Sequence, residues 1–123
     1  MAKKPDYNYK SLQTEYGKMP PQAVDLEEAI LGSLMLEKDA FITVSDFLKP
    51  ECFYKEAHQK IYRGIQNLSL NNEPVDILTV SEEMKRLGEL EDIGGYYYLA
   101  QLTSKVASAA HIEFHARIVV QKY

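Results

Sequence analysis

The stretch PPQAVDLEEAILGSLMLE, Pro20 to Glu37, decides the fold. From Gln22 onward, Ala23, Leu26, Ile30 and Leu34 recur at helical spacing, and Val24, Leu31 and Met35 widen the stripe beyond a single face. The pattern predicts a helix that is mostly buried. Pro20 and Pro21 stand just upstream, and Asp25, Glu27 and Glu28 fall in the first turns, where carboxylates favour the positive end of the helix dipole. Glycine inside a helix costs about 1 kcal/mol relative to alanine. Gly32 in this position therefore predicts the close approach of another helix.

Working outward, Asp39 reads as the N-cap of a second helix carrying Ala40, Phe41, Val44, Phe47 and Leu48, which Lys49-Pro50 ends. A third helix runs from about Lys55, with Ala57, Ile61, Ile65 and Leu68 on one face and Tyr54, His58 and Tyr62 alongside; Asn71 to Pro74 is its terminating loop. A fourth follows Asp76, with Ile77, Val80, Met84 and Leu87 inward and Glu82, Glu83, Lys85 and Arg86 outward. Its cap is either Asp76 or Thr79, the latter boxed with Glu82, and Glu82 is spaced to pair with Arg86. Gly88 stops it. Gly94-Gly95 precedes a fifth helix, Tyr96 to about Lys105, and Ser108 caps a sixth from Ala109 to the chain end. No window alternates with period two for long enough to form a strand. The expected class is all-α, a compact bundle of about six helices, with Leu26, Ile30, Leu34, Phe47, Ile61, Ile65, Val80, Met84, Leu87, Leu99 and Leu102 in the core.

The 123 residues suffice for one domain. Residues 1–21 read as a flexible tail with Lys3, Lys4, Lys10 and Lys18 against Asp6 and Glu15, a net +2, and with Tyr7, Tyr9 and Tyr16 as candidate anchors. The net charge of −4 leaves −6 on residues 22–123. An acidic balance of this kind argues against a phosphate-binding surface, which needs clustered cations. Cys52 is the only cysteine, which excludes an internal disulfide and a multi-thiolate zinc site and suits a reducing compartment. No apolar run approaches the roughly 20 residues of a membrane span, and the N-terminus lacks the apolar core of a secretory signal. A cytoplasmic protein is expected.

The search for chemistry returns little. His111 and His115 share a helix face at i,i+4, but a zinc site needs three or four ligands, and Ala107 and Val119 occupy the next turns. His58 reads as a buried, hydrogen-bonded histidine and Cys52 as a packing residue. The pairs Glu27-Glu28, Glu82-Glu83 and Glu91-Asp92 read as solvated charge. There is no phosphate-binding loop, since Gly94-Gly95 leads into Tyr96-Tyr97-Tyr98 and no lysine follows. By elimination the role is binding. A small helical nucleic-acid-binding domain is the alternative, and a metal enzyme built on His111 and His115 stands third.

Four blocks then agree in order and spacing. They are PPQAVDLEEAILGSLMLE, DFLKPECFYKEAHQKIYRGI, EPVDILTVSEEMKRLGELEDIGGYYYLAQL and SAAHIEFHARIV, and together they resemble the N-terminal domain of the bacterial replicative DNA helicases, the DnaB family. The resemblance implies a collar domain over residues 22–123, without the RecA-like motor. It implies self-association in pairs within a hexamer, contacts with primase and the helicase loader, and DNA contacts made mainly by the motor. No cofactor is implied for this domain; ATP and magnesium are implied for the motor. Ala23 stands where relatives commonly carry a polar cap. The last helix corresponds to the first arm of a helical hairpin. Ile112, Ala116, Val119 and Tyr123 on that arm are spaced 4, 3 and 4 apart, the seam spacing of a helix packing lengthwise on another. Such a stripe can face its own core or a second chain. The resemblance favours the second chain, with His115 beside the seam.

Overall fold

A computed structural model describes residues 21–106 and 111–122. The expected tail with its tyrosine anchors, the Ser108 cap and the Tyr123 end of the seam lie outside the described residues. Those described form six α-helices and one 3₁₀ turn, with no strand: α1 Pro21–Leu36, α2 Ala40–Val44, the turn Pro50–Cys52, α3 Glu56–Leu70, α4 Ile77–Arg86, α5 Gly95–Ser104 and α6 Ile112–Lys122. The all-α expectation therefore holds.

Helix α1 is the axis of the domain, packing against α5, α6, α3 and α2. Its apolar residues run round the helix because neighbours surround it, and Ala23, Ile30, Leu31, Leu34 and Met35 are all buried. Ala23 is the third residue of α1 rather than its cap, and lies in the core. Gly32 meets the backbone of α5: a Cβ there would run into the Leu102 carbonyl oxygen and lie 2.5 Å from Val106 Cγ2. The close approach inferred from that glycine is real.

Helix α2 is shorter than its apolar spacing suggests. It ends at Val44, and the chain turns through Ser45 to Phe47, with Phe47 N–H and Leu48 N–H both donating to the Val44 carbonyl. Asp39 precedes it but makes no side-chain cap. At α4 the open choice resolves to Asp76: its carboxylate accepts from Thr79 N–H at 2.8 Å, and Thr79 Oγ1 accepts from Asp76 N–H at 2.9 Å. Gly88 ends that region with φ of +74°.

Eight of the expected core residues are fully enclosed: Ile30, Leu34, Ile61, Ile65, Val80, Met84, Leu99 and Leu102. Leu26 and Phe47 are half-buried, packed on the margin of the core. Leu87 is a correction. It is the C-cap of α4, where the chain leaves the helix, and it is 38% exposed. The apolar stripe runs one residue past the end of α4 at Arg86.

Candidate functional site

The most connected polar group lies inside the bundle. Central position on α1 leaves Glu27 and Glu28 no solvent face, so the expectation that both are solvated is overturned: Glu27 is 1% exposed and Glu28 is also buried. Glu27 Oε1 lies 2.7 Å from His58 Nδ1 on α3, and Oε2 accepts from Tyr54 N–H at 2.6 Å. On the far side of the ring, His58 Nε2 lies 2.6 Å from the Tyr98 hydroxyl on α5. A carboxylate can only accept, which assigns one proton to Nδ1, and in the neutral imidazole the second nitrogen is then the acceptor. His58 Nδ1–H donates to the carboxylate, and Nε2 accepts from the phenol.

The His58 and Tyr98 rings stack at 6.0 Å, Phe53 meets His58 edge-on, and the Lys55 ammonium lies 5.6 Å from the Tyr98 ring centre. Burial, reinforced by the charges of Glu28 and Glu27, pushes the Tyr98 phenol well above the ordinary tyrosine range. Glu28 Oε1 pairs with Lys105 Nζ at 2.9 Å just beyond α5, and this raises the Lys105 ammonium above its usual value.

This constellation can move a proton between its own members. It cannot reach a substrate, because His58 has no exposed surface and Glu27 almost none. Its effect is positional: one imidazole fastens α1, α3 and α5 at a single point. His58 is thus the buried, hydrogen-bonded histidine expected from the sequence.

A second polar tie joins α3 to α4. Glu83, expected outward, is buried; Arg86 grips it with Nε at 3.0 Å and Nη2 at 2.6 Å, and Asn67 Nδ2 donates to it at 3.0 Å. Arg86 therefore pairs with Glu83 rather than Glu82, and Lys85 approaches Glu82 at 3.9 Å. The Arg86 hydrogen bond leads the causes that lower the Glu83 carboxyl; burial opposes it, and Asn67 and the Arg86 charge assist.

The seam expected to meet a second chain does not face outward. Ile112, Ala116 and Val119 are buried in the domain's own core, where α6 packs on α1 and α2. Spacing of 4 and 3 marks a helix lying along a helix, and the partner is α1 of the same chain. His115 flanks that stripe half-buried, and burial together with the nearby His111 lowers its imidazole. The two rings lie 6.2 Å apart, and no group of three or more potential metal ligands exists among the described residues. What α6 does show to solvent is Phe114, 65% exposed, with Ile118 one turn on and half-buried. Arg117, between them in sequence, sits 4.2 Å over the Phe47 ring. Tyr96, Tyr97, Ile42, Leu70 and Leu78 are further exposed large apolar side chains. No described helix is long and apolar enough to cross a membrane.

The domain is in class an all-helical bundle whose two polar clusters tie its own helices together and which leaves several bulky apolar side chains exposed. The comparisons with known proteins make that class specific. The model of the DnaB-like helicase N-terminal domain matches residues 19–121, and the chain belongs to that family. It is 48% identical over 112 residues to the replicative DNA helicase DnaB of Rhodothermus marinus, covering 91% of this chain and 12% of that protein. With the Geobacillus stearothermophilus DnaB it shares 42% identity over 105 residues, 85% of this chain and 23% of the relative. The chain thus spans between about an eighth and a quarter of the length of these curated relatives.

Among solved structures, the N-terminal domain of the Mycobacterium tuberculosis DnaB helicase superposes with a TM-score of 0.80 at 42% identity, over 85% of this chain and 75% of that one. A DnaB-like replicative helicase described with its interactions with primase superposes with a TM-score of 0.67 at 30% identity, over 80% of this chain and 23% of that one. What the chain shares with these helicases is the N-terminal domain and not the ATPase motor.

Proposed function

We propose that this chain is the non-catalytic collar of a replicative DNA helicase, self-associating and contributing to contacts with primase and the helicase loader during DNA replication. ATP, magnesium and most of the DNA contact belong to the motor. We take the domain to begin with α1, one residue before the expected boundary at residue 22, with residues 1–20 as an appended segment. The observation that carries this reading is the family match over residues 19–121, together with a structural relative described with its interactions with primase. The chemistry agrees, because the buried His58 relay serves to hold helices together.

Self-association is assigned to the outward face of α6, where Phe114 projects from a helix whose opposite face is core. Sedimentation velocity tests it. The wild-type chain should show a concentration-dependent dimer, and Phe114→Asp should weaken that dimer at least tenfold while leaving the helical circular dichroism intact. A dimer unaffected by Phe114→Asp would move the interface elsewhere, and a chain monomeric at all concentrations would refute self-association.

A further inference from the structure

A groove of about 580 Å³ opens at the C-terminal end of α1, between α2 and the loop that joins α3 to α4. Met35, Phe41 and Val75 form its apolar floor, and Leu36 and Ile42 beside them stay largely in solvent, Ile42 with 72% of its surface free. Leu70 and Leu78, at either end of the α3–α4 loop, are also exposed and stand within two residues of the lining. Four of the nine large apolar side chains exposed among the described residues thus gather at this end of the domain. Such a concentration marks a contact surface, as scattered single residues do not.

The sign of the rim selects the class of occupant. Asp39, Glu73 and Asp76 stand on it against the single ammonium of Lys38. Asp39 makes no cap bond to α2, and neither it nor Glu73 enters an ion pair among the described residues, so both carboxylates are available. Arg86, near enough to Glu73 to feel its charge, is held by Glu83 at 2.6 Å. Helices α1 and α3 both end here without a basic residue in the last turn, and their C-terminal dipole ends add to the negative field; the N-terminal end of α4 is answered by its own cap, Asp76. This rim repels a phosphate backbone or an anionic membrane surface and attracts cationic side chains. Among the described residues there is no strand whose edge an extended peptide could join. The mode that fits is a helix laid in a groove, with apolar anchors at i, i+3, i+4 and i+7.

We propose that this groove is a docking site for a basic amphipathic helix of a protein partner, its apolar stripe on Met35, Phe41, Ile42 and Val75 and its lysines or arginines toward Asp39 and Glu73. The groove has no lining residue from α6, so it is a second surface, independent of the face assigned to self-association.

Fluorescence anisotropy tests this with a capped, labelled peptide of about 15 leucines and lysines, the leucines at helical spacing. One control peptide scrambles the order, keeping the charge and losing the stripe; the other carries glutamate for every lysine, keeping the stripe and reversing the charge. The chain should bind the probe at least tenfold more tightly than either control. Ile42→Ser, and separately Asp39→Lys with Glu73→Lys, should each weaken binding severalfold, the charge variant most at low salt, while Phe114→Asp should leave it unchanged. Equal binding of either control peptide, or binding indifferent to the groove variants, would overturn the proposal; loss on Phe114→Asp alone would place the peptide on α6 and overturn it too. All three altered groove side chains are exposed, and circular dichroism checks their folding. If a groove variant unfolds, amide chemical-shift mapping on the unaltered chain decides: shifts centred on Lys38, Ile42 and Val75 support the docking site, and shifts centred elsewhere overturn it.

Discussion

Glu27→Ala removes the one group that accepts from both Tyr54 N–H and His58 Nδ1–H. The donor distances of 2.6 and 2.7 Å mark charge-assisted bonds, each contributing about 1.5–3 kcal/mol net. The two losses do not simply add, because the freed imidazole can adjust its tautomer. Breaking a buried charged pair by removing one partner costs about 3–5 kcal/mol, and that is the destabilisation expected in urea unfolding followed by circular dichroism.

Glu27→Gln separates the relay from mere packing. Its amide keeps the volume and one acceptor, and its NH₂ can donate to His58 Nδ1 once the ring carries its proton on Nε2 and donates to the Tyr98 hydroxyl. The expected cost is about 1–2 kcal/mol, one net hydrogen bond. A Glu27→Ala cost below about 1 kcal/mol would refute the reasoning, as would a glutamine variant as damaged as the alanine one.

Three further substitutions probe the same fold. Gly32→Ala gains about 1 kcal/mol of helix propensity, but its methyl group meets the rigid Leu102 carbonyl; overpacking of about 1–3 kcal/mol should win, so a raised melting temperature would show that α1 and α5 are not in contact there. Val119→Asp should unfold the domain rather than dissociate a folded dimer, because Val119 lies in the core; folded monomers from that variant would restore the outward-facing seam. The Glu83 carboxyl is lowered in the folded state from its ordinary 4.5. Its stabilisation is therefore complete above that value and disappears as pH falls through the lowered one. Glu83→Gln should flatten this acid limb in pH-dependent unfolding, and an unchanged acid limb would remove the Asn67–Glu83–Arg86 tie from the account.

Much of this architecture was legible in the periodicity. Ile61, Ile65, Val80 and Met84 repeat at helical spacing and are buried, and Gly32 announced a helix crossing before any neighbour was known. The polar interior was legible only in part. Helix α1 shows apolar residues round most of its circumference, a sign that little of it beyond Asp25 and Leu36 faces solvent, and the same sign applied to Glu27 and Glu28 would have placed both inside. What the sequence does not contain is which ring meets which carboxylate, since Glu27 and His58 are 31 positions apart and Tyr98 another 40. The α6 seam failed for a related reason: spacing specifies a lengthwise helix contact but not whether the partner belongs to the same chain. At α2 the apolar spacing continues past Val44 although the helix does not, because a chain turning back on itself can still point Phe47 and Leu48 at the core.

Isothermal titration calorimetry of this chain against the primase of the same organism tests the central reading most directly. The expected result is a saturable complex that forms without ATP or DNA and changes little between 50 and 200 mM salt. The contradicting result is no heat with primase at concentrations up to about 100 μM, together with single-stranded DNA binding that weakens steeply over the same salt range. That outcome would make the chain a nucleic-acid-binding domain instead of a protein-binding collar.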